Sequence, residues 1–478
     1  MNSIKEVNFG YADAITEAER SPENFSLSFF DPHEYLQELV QGTRFIVCGK
    51  KGDGKSAFGA KLRLMEETTN YKTYLRTLNN FNNLIFEKIQ SYEKLGGNPY
   101  ISFWKCVLMI ETIKMLNKHD PYIQEENYLQ IFDALNRKGF LDLDIDISMT
   151  ISKLVESDTS FRIKHFFKQG KKKEYTEELK GSEQIYCAIS NAIKTLYLEN
   201  SYFLIIDGLD DILSSTEFKS EIITGLLRAS NEINSYFMRQ TLNLKIIILI
   251  RTDIMDICRD PNLSKLKRDS AINLSWRVGE NPFSSDLFLL VQKRFEVALK
   301  RKIDLEEMWE EIFPASINEK RSVEYVLENL IYRPRDILQL FIEVQRECEH
   351  GERLSEDQLQ SVLYSFSDYF LEAMLDDLTG FFPNEAVTSL PDVLSKLGNQ
   401  YFYPKDFYNV CSQYKVFDGI VLSDILNKLF LDGYIGQHRP RDMREKDYTV
   451  FKFRNSREKF QEDHECIIHR GLQRALTI

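Results

Sequence analysis

Residues 44–56 read Arg44-Phe45-Ile46-Val47-Cys48-Gly49-Lys50-Lys51-Gly52-Asp53-Gly54-Lys55-Ser56. The first five form a short apolar run of the kind that makes a buried parallel strand, and the rest fit the spacing G-x-x-x-x-G-K-[ST]. Glycines at this spacing let backbone N–H groups curl around an anion without Cβ clashes, and a helix that follows adds positive potential at its N-terminus. The continuation Lys55-Ser-Ala-Phe-Gly-Ala-Lys-Leu-Arg-Leu-Met65 is rich in helix formers with apolar residues at helical spacing. A chance glycine-rich turn lacks this strand–loop–helix setting, so the stretch predicts a phosphate-binding loop. Gly49, Lys50, Lys51, Gly52, Asp53, Gly54, Lys55 and Ser56 would then cradle a nucleoside triphosphate. Lys55 would reach the β/γ-phosphates and Ser56 would ligate Mg²⁺.

A chain of 478 residues exceeds one ordinary core and suggests about two to four domains. The 43% apolar fraction is that of a globular protein, and the longest apolar strand, Ile246 to Ile250, is far too short to cross a bilayer. No membrane partner is expected. Met1-Asn-Ser-Ile-Lys-Glu-Val-Asn8 lacks the apolar stretch of a signal peptide, which predicts a cytoplasmic protein. The seven cysteines, at 48, 106, 187, 258, 348, 411 and 466, form no C-x-x-C pair and read as reduced thiols. A net charge of −12 argues against a surface that clamps nucleic acid throughout, since Lys and Arg neutralisation supplies most nonspecific affinity. Local basic patches stay open. His464-Glu-Cys466-Ile-Ile-His469 offers metal-ligand types, but no second pair completes a tetrahedral site; it reads as one face of a C-terminal helix.

The loop demands an acidic strand end, and Ser201-Tyr-Phe-Leu-Ile-Ile-Asp207 supplies one, followed by Gly208-Leu-Asp210-Asp211. Ligands of parallel sheets sit at the carboxyl ends of strands, so Asp207 would hold Mg²⁺ through water while Asp210 or Asp211 faces the attacking water. Leu244-Lys-Ile-Ile-Ile-Leu-Ile-Arg251 is a third buried strand ending in a cation, aimed near the γ-phosphate. Tyr71 to Leu78 alternates as a further strand, and Ala271 to Trp276 reads as a sheet edge. Arg268 either reaches a neighbouring subunit or is an ordinary exposed arginine.

Asp31-Pro32 predicts a short helix to Val40 with Asp31 as N-cap, and amphipathic helices run through Ser102 to Leu116. From about 120 to 195 the sequence is polar helix and loop. It carries the basic run Arg162 to Lys173, either a solvated charge run or a contact for nucleic acid or a partner. A helix is expected from about Thr216 to Gln240. Helical sequence then dominates from Ser285 to about Gly380. Within it Tyr332-Arg333-Pro334-Arg335-Asp336 opens a helix, and arginine at a helix start calls for a compensating anion. Beyond Phe382-Pro383 come short helices, then Lys428 to Gly436 and the strand Tyr448 to Arg454, a winged-helix pattern.

Two motifs are decoys. Asn117-Lys118-His119-Asp120 matches a guanine-reading signature but ends a helix ahead of the Asp207 strand, where the guanine site should follow a later strand. Asp142-Leu-Asp144-Ile-Asp146 opens like a calcium loop, yet Ile147 and Lys153 stand where glycine and glutamate belong; it reads as a strand with one wet face. No L-S-G-G-Q-type signature points to an ABC ATPase.

Taken together, Gly49–Ser56, the Asp207-Gly-Leu-Asp210-Asp211 run, Ile250-Arg251-Thr-Asp253, Arg333-Pro-Arg335-Asp336 and the winged-helix tail resemble the AAA+/STAND branch of P-loop ATPases. They are most similar to origin-recognition-like ATPases and the prokaryotic conflict-system ATPases built the same way. The resemblance implies an α/β fold with a doubly wound parallel sheet ordered 5-1-4-3-2, a helical lid and a C-terminal winged helix. It sets an ATPase domain at 1–280 with an insertion at about 90–195, the lid at 281–382 and the winged helix at 383–478. Arg251 would be sensor-1-like and Arg335 sensor-2-like. Gly208 stands where AAA+ ATPases commonly place Glu, the STAND form, so fast turnover is not expected.

The function so implied is a slow, Mg²⁺-dependent ATPase acting as a switch that self-associates and controls a separate effector, in bacterial antiviral defence by resemblance alone. No nuclease, protease, deaminase or NADase signature is present, and a small-molecule kinase would need an acceptor pocket that no residue pattern suggests. The alternative is a DNA-binding initiator or loader whose basic wing is Arg439, Arg441, Arg444 and Lys446, diluted by Asp442, Glu445 and Asp447.

Overall fold

The apolar run that opens the phosphate-loop motif forms strand β1, Ile46–Gly49, with every residue buried. In this computed structural model the described residues are 4–78, 99–156, 160–167, 173–209, 219–258, 260, 263–348, 353–439, 448–455 and 457–478. The next strands are β2 Tyr71–Thr77, β3 Ser160–Phe167, β4 Lys173–Lys180, β5 Ser201–Asp207, β6 Leu244–Arg251 and β7 Ala271–Asn273. Five of them make a parallel sheet in the order β2-β5-β6-β1-β7. The protein is a mixed α/β chain with one parallel sheet and many helices. Strands β1, β5 and β6 are near-continuous apolar runs because a parallel sheet is covered on both faces.

The chain divides into two units, one of residues 33–50 and 55–274 and the other of 1–32, 51–54 and 275–478. The first, the sheet unit, carries the helices Lys55–Leu64, Pro99–His119, Ser182–Ile193 and Lys219–Arg239. Part of the expected insertion belongs to its core. Trp104, Leu108, Ile113 and Leu116 on Pro99–His119 are fully buried, and the Trp104 indole donates to the Ile222 carbonyl at 3.1 Å. The same helix buries Glu111 between Arg76, Nε–Oε2 2.9 Å, and Lys114, Nζ–Oε1 2.8 Å, with the Thr150 hydroxyl donating to Glu111 at 2.8 Å.

Three local expectations in this unit are corrected. The helix expected from Asp31 begins at Tyr35, with Glu34 in the left-handed region at φ 56° as its cap. Asp142–Asp146 is a turn, not a strand, because the Asp146 carboxylate accepts the Met149 N–H at 2.7 Å and so starts the helix Ile147–Glu156. The segment Arg162 to Lys173 falls on the antiparallel hairpin β3–β4, with 168–172 outside the described residues. Phe161 and Ile163 alternate with Arg162 and Lys164, the two-residue period of a strand.

The second, helical unit contains Asp286–Leu299, Leu305–Ile312, Ser322–Leu327, Pro334–Glu347 and Glu356–Leu378, then Asn384–Lys396, Pro404–Cys411 and Leu422–Asp432. After the short hairpin of β8, Ser316–Ile317, and β9, Lys320–Arg321, its strands are β10 Tyr401–Phe402, β11 Ile435–Arg439, β12 Tyr448–Val450 and β13 Cys466–Ile468. The last four form an antiparallel sheet ordered β10-β13-β11-β12. Cys466–Ile468 is therefore a strand rather than a helix face, since it pairs with both β10 and β11. One continuous core runs from Leu287 and Trp309 through Phe341 and Phe370 to Phe430 and Ile468.

Residues 4–32 share that core, although the sequence placed 1–280 together. Phe9 lies 5.5 Å from Phe295 and 5.2 Å from Phe341, ring centre to ring centre, and buried Arg294 pairs with buried Glu17. Aromatic burial of this extent outweighs proximity in sequence. None of the seven cysteines is in a disulfide. Among the described residues no helix is long and apolar enough to cross a membrane.

Candidate phosphate-binding site

Of loop 49–56, residues 49, 50, 55 and 56 belong to the sheet unit and 51–54 to the helical unit. In the sheet unit the chain leaves β1 at buried Gly49, whose register partner on β6 is Arg251. It re-enters at Lys55, the first residue of the helix Lys55–Leu64. The Lys55 ammonium donates to the Lys50 carbonyl at 2.9 Å, so the cation lies over the loop's own backbone. The Ser56 hydroxyl donates to Asp207 Oδ2 at 2.7 Å, and the Gly208 N–H donates to Asp207 Oδ1 at 2.8 Å.

Ser56, in the first turn of the helix Lys55–Leu64, and Asp207, at the end of β5, thus bring a hydroxyl and a carboxylate together. That donor set fits a hard, oxygen-liganded cation such as Mg²⁺, which holds one or two protein oxygens and keeps several waters. Among the described residues no group of three or more His, Cys, Asp or Glu is placed to hold a metal by itself. Gly208 adopts φ 75°, a conformation that side-chain-bearing residues rarely take, which is a physical reason for glycine beside Asp207.

Arg251 closes β6 and is 4% exposed. Its guanidinium grips Asp253 in a fork, Nε to Oδ1 at 3.0 Å and Nη2 to Oδ2 at 2.6 Å. Asp253 was quoted in the sequence motif without a role; the Arg-x-Asp spacing across a strand end is the signal that could have assigned it. Asp210 and Asp211, the candidates for facing an attacking water, lie outside the described residues. Arg268 is exposed on the helix Leu263–Ser270.

The loop tip, within the helical unit, is tied down by backbone and side-chain contacts. Gly52 and Gly54 take φ 87° and 92°, and a Cβ on Gly52 would stand 3.3 Å from Arg335 Cβ. The Arg335 N–H donates to the Gly52 carbonyl at 3.4 Å. The Trp276 indole donates to the Asp53 carbonyl at 3.0 Å, and Lys51 reaches the Asp376 carboxylate at 3.5 Å and its carbonyl at 3.3 Å. Arg335 itself is half-buried in the first turn of Pro334–Glu347.

Its neighbours turn inward. Arg333 is 4% exposed and donates to Asp377 Oδ2 at 2.9 Å, the Tyr434 hydroxyl at 3.4 Å and the Asp432 carbonyl at 3.2 Å. Asp377 is the anion that the arginine-led helix start called for. Asp336 is buried and accepts the Tyr369 hydroxyl at 3.2 Å. Burial pushes its carboxyl up to about 6, against the pull of Arg333. Asp377 and Tyr434 are not legible in the sequence as partners of Arg333, because only the fold brings the three together.

Of the basic wing, Arg439 is buried, and its guanidinium contacts His464, Glu458 and the Lys459 carbonyl. It is a structural cation, not an open one. Arg441, Arg444 and Lys446, with Asp442, Glu445 and Asp447, lie outside the described residues.

Residues 285–375 match the model of the FunZ-associated C-terminal helical domain. The match covers the helices from Asp286–Leu299 into Glu356–Leu378. Over 394 residues the chain is 23% identical to the transposon gamma-delta 80.3 kDa protein of Escherichia coli (strain K12). That similarity takes in 78% of this chain and 53% of the other, so the chain spans about half the length of the relative it matches.

Proposed function

We propose that the protein is an ATP-binding, slowly hydrolysing molecular switch that changes its assembly with a separate effector. The observation that carries this reading is the Ser56–Asp207 hydrogen bond, 2.7 Å, between the residue after the loop lysine and the carboxylate closing β5. A magnesium ion on Ser56, with Asp207 behind its waters, would neutralise charge between the β- and γ-phosphates. Lys55 would leave the Lys50 carbonyl for a phosphate oxygen, and the N–H groups of the loop would complete the cradle.

The strand order supports the AAA+/STAND reading. With the sheet's own strands counted 1 to 5 along the chain, β2-β5-β6-β1-β7 reads, from the other edge, 5-1-4-3-2. The five helices among the described residues between 286 and 378 suit a lid, and the helices and four-stranded antiparallel sheet beyond suit a winged helix. Slow turnover follows from Gly208: the position that commonly holds a catalytic glutamate has a backbone suited to glycine. Arg251 would sense the γ-phosphate only after loosening its fork with Asp253, which makes it a coupling group as much as a catalytic one.

A cytoplasmic role in antiviral defence rests on the motif resemblance alone, and the transposon protein's name adds a role tied to mobile elements as a second setting. The initiator reading is weakened by Arg439, whose guanidinium is already engaged. Calorimetric titration of Mg·ATP into wild type and Lys55→Ala tests the core: binding is expected in the first and not the second, and equal affinities would sink the proposal. Sedimentation with and without nucleotide tests the change of assembly.

A further inference from the structure

We propose that Arg333 is a positioning residue that ties the phosphate-loop tip to the winged-helix end of the chain. The inference rests on the reading of loop 49–56 as a phosphate site and names how that site is regulated.

Pro334 restricts the residue before it to extended backbone, and Arg333 takes φ −125° and ψ 141°. Its side chain is thereby sent inward while the following turn faces the loop. Inward, the guanidinium joins Asp377 at the end of the helix Glu356–Leu378 to the Asp432 carbonyl at the end of Leu422–Asp432. The Tyr434 hydroxyl donates to the same Asp377 oxygen at 2.8 Å, and Lys428 holds the Asp432 carboxylate at 2.7 and 2.9 Å. Asp377, Arg333 and Tyr434 are all buried, so loss of any one leaves the others short of a partner away from water.

Outward, the same few residues meet the loop tip. Arg335 donates its N–H to Gly52, and Arg333 Cδ lies 3.5 Å from where a Cβ on Gly52 would stand. Asp376, next to Asp377, takes Lys51. One helix end therefore grips the loop through Asp376 and the winged-helix segment through Asp377. A shift of Tyr434 or Leu422–Asp432, as when a partner docks on the winged helix, moves Arg333 and with it the seat of Gly52 and Lys51.

Trp276 gives a local readout, since its indole N–H is bonded to the Asp53 carbonyl. The chain has three tryptophans, so full-length protein labelled with fluorotryptophan gives three fluorine resonances, with that of residue 276 assigned through Trp276→Phe. Tyr434→Phe removes one hydroxyl, Asp377→Asn one charge, and Lys396→Ala alters an exposed side chain of the same unit as a control. The expected result is a shifted Trp276 resonance in Tyr434→Phe and Asp377→Asn, an unmoved Trp104 resonance, and Mg·ATP affinity about tenfold weaker, the loss of roughly one hydrogen bond. Lys396→Ala should change neither.

An unmoved Trp276 resonance in the cooperatively melting Tyr434→Phe protein overturns the tie. A moved resonance with ATP affinity within about twofold of wild type overturns the positioning role. Failure of wild type to bind any triphosphate would instead strike the phosphate-site reading, and the Trp276 shift would still judge the tie.

Discussion

Asp207 and Asp377 are both carboxylates at the ends of regular elements, and their surroundings are opposite. Asp207 is half-exposed and is reached by a serine hydroxyl and a backbone N–H, neutral donors that a metal ion can replace. Asp377 is buried and saturated by a guanidinium and a phenol. A carboxylate served by exchangeable donors is ready for chemistry. One locked to a buried cation holds architecture, and removing the cation is far costlier than removing a surface partner.

The contrast can be broken at four places. On the Asp207 side, Lys55→Ala should abolish measurable ATP binding in calorimetry, a loss of roughly 100-fold or more for a charge-assisted contact to phosphate. On the Asp377 side, Arg333→Ala should weaken Mg·ATP binding only through the seat of Gly52 and Lys51, but cost about 3–5 kcal/mol in denaturant unfolding, because Asp377 is left buried without its cation. If that variant melts like wild type, the cluster is not the strut described.

Asp336 sharpens the comparison through pH. Its folded-state carboxyl, at about 6, lies above the ordinary 3.8, so the folded protein holds that proton more tightly than the unfolded chain does. The stability this supplies is complete below about pH 4 and is lost as pH rises through 6. Asp336→Asn cannot ionise, so its stability relative to wild type should rise across that window, by up to about 3 kcal/mol. Chemical denaturation of both proteins at pH 4.5 and 7.5 reads the difference, and a constant offset would refute the shift. The mildest change is Asp207→Asn: melting little altered, but Mg²⁺-dependent hydrolysis roughly 10–100-fold slower, as for other groups that act on a metal through its waters.

The sheet was legible because its strands are apolar runs of the right length: Ile46–Gly49, Ser201–Asp207 and Leu244–Arg251 fall where their sequences placed them. In the loop, Gly52 and Gly54 take the positive φ that glycine alone adopts readily. Long-range partners were not legible. Nothing in the sequence near Arg333 names Asp377 or Tyr434, and nothing near Arg294 names Glu17; such pairs are fixed by which helices share a core. Short polar stretches also misled. Asp142–Asp146 alternates like a strand but caps a helix, and Cys466–Ile468, in a run that reads as a helix face, is a strand because it pairs with β10 and β11.

The burial of Phe9 against Phe295 and Phe341 has a consequence for synthesis. The Arg294 guanidinium that meets the Asn8 carbonyl lies 286 residues downstream. At about 5–20 residues per second, residues 4–32 leave the ribosome roughly 15–60 s before their packing partners exist. During that interval Ile4, Val7, Phe9 and Phe25 have no helical core to join, while the whole sheet unit has time to emerge. The nascent chain therefore passes through a stage at which the sheet unit has emerged while these apolar side chains still lack their partners, the stage at which mispairing between neighbouring chains should be greatest.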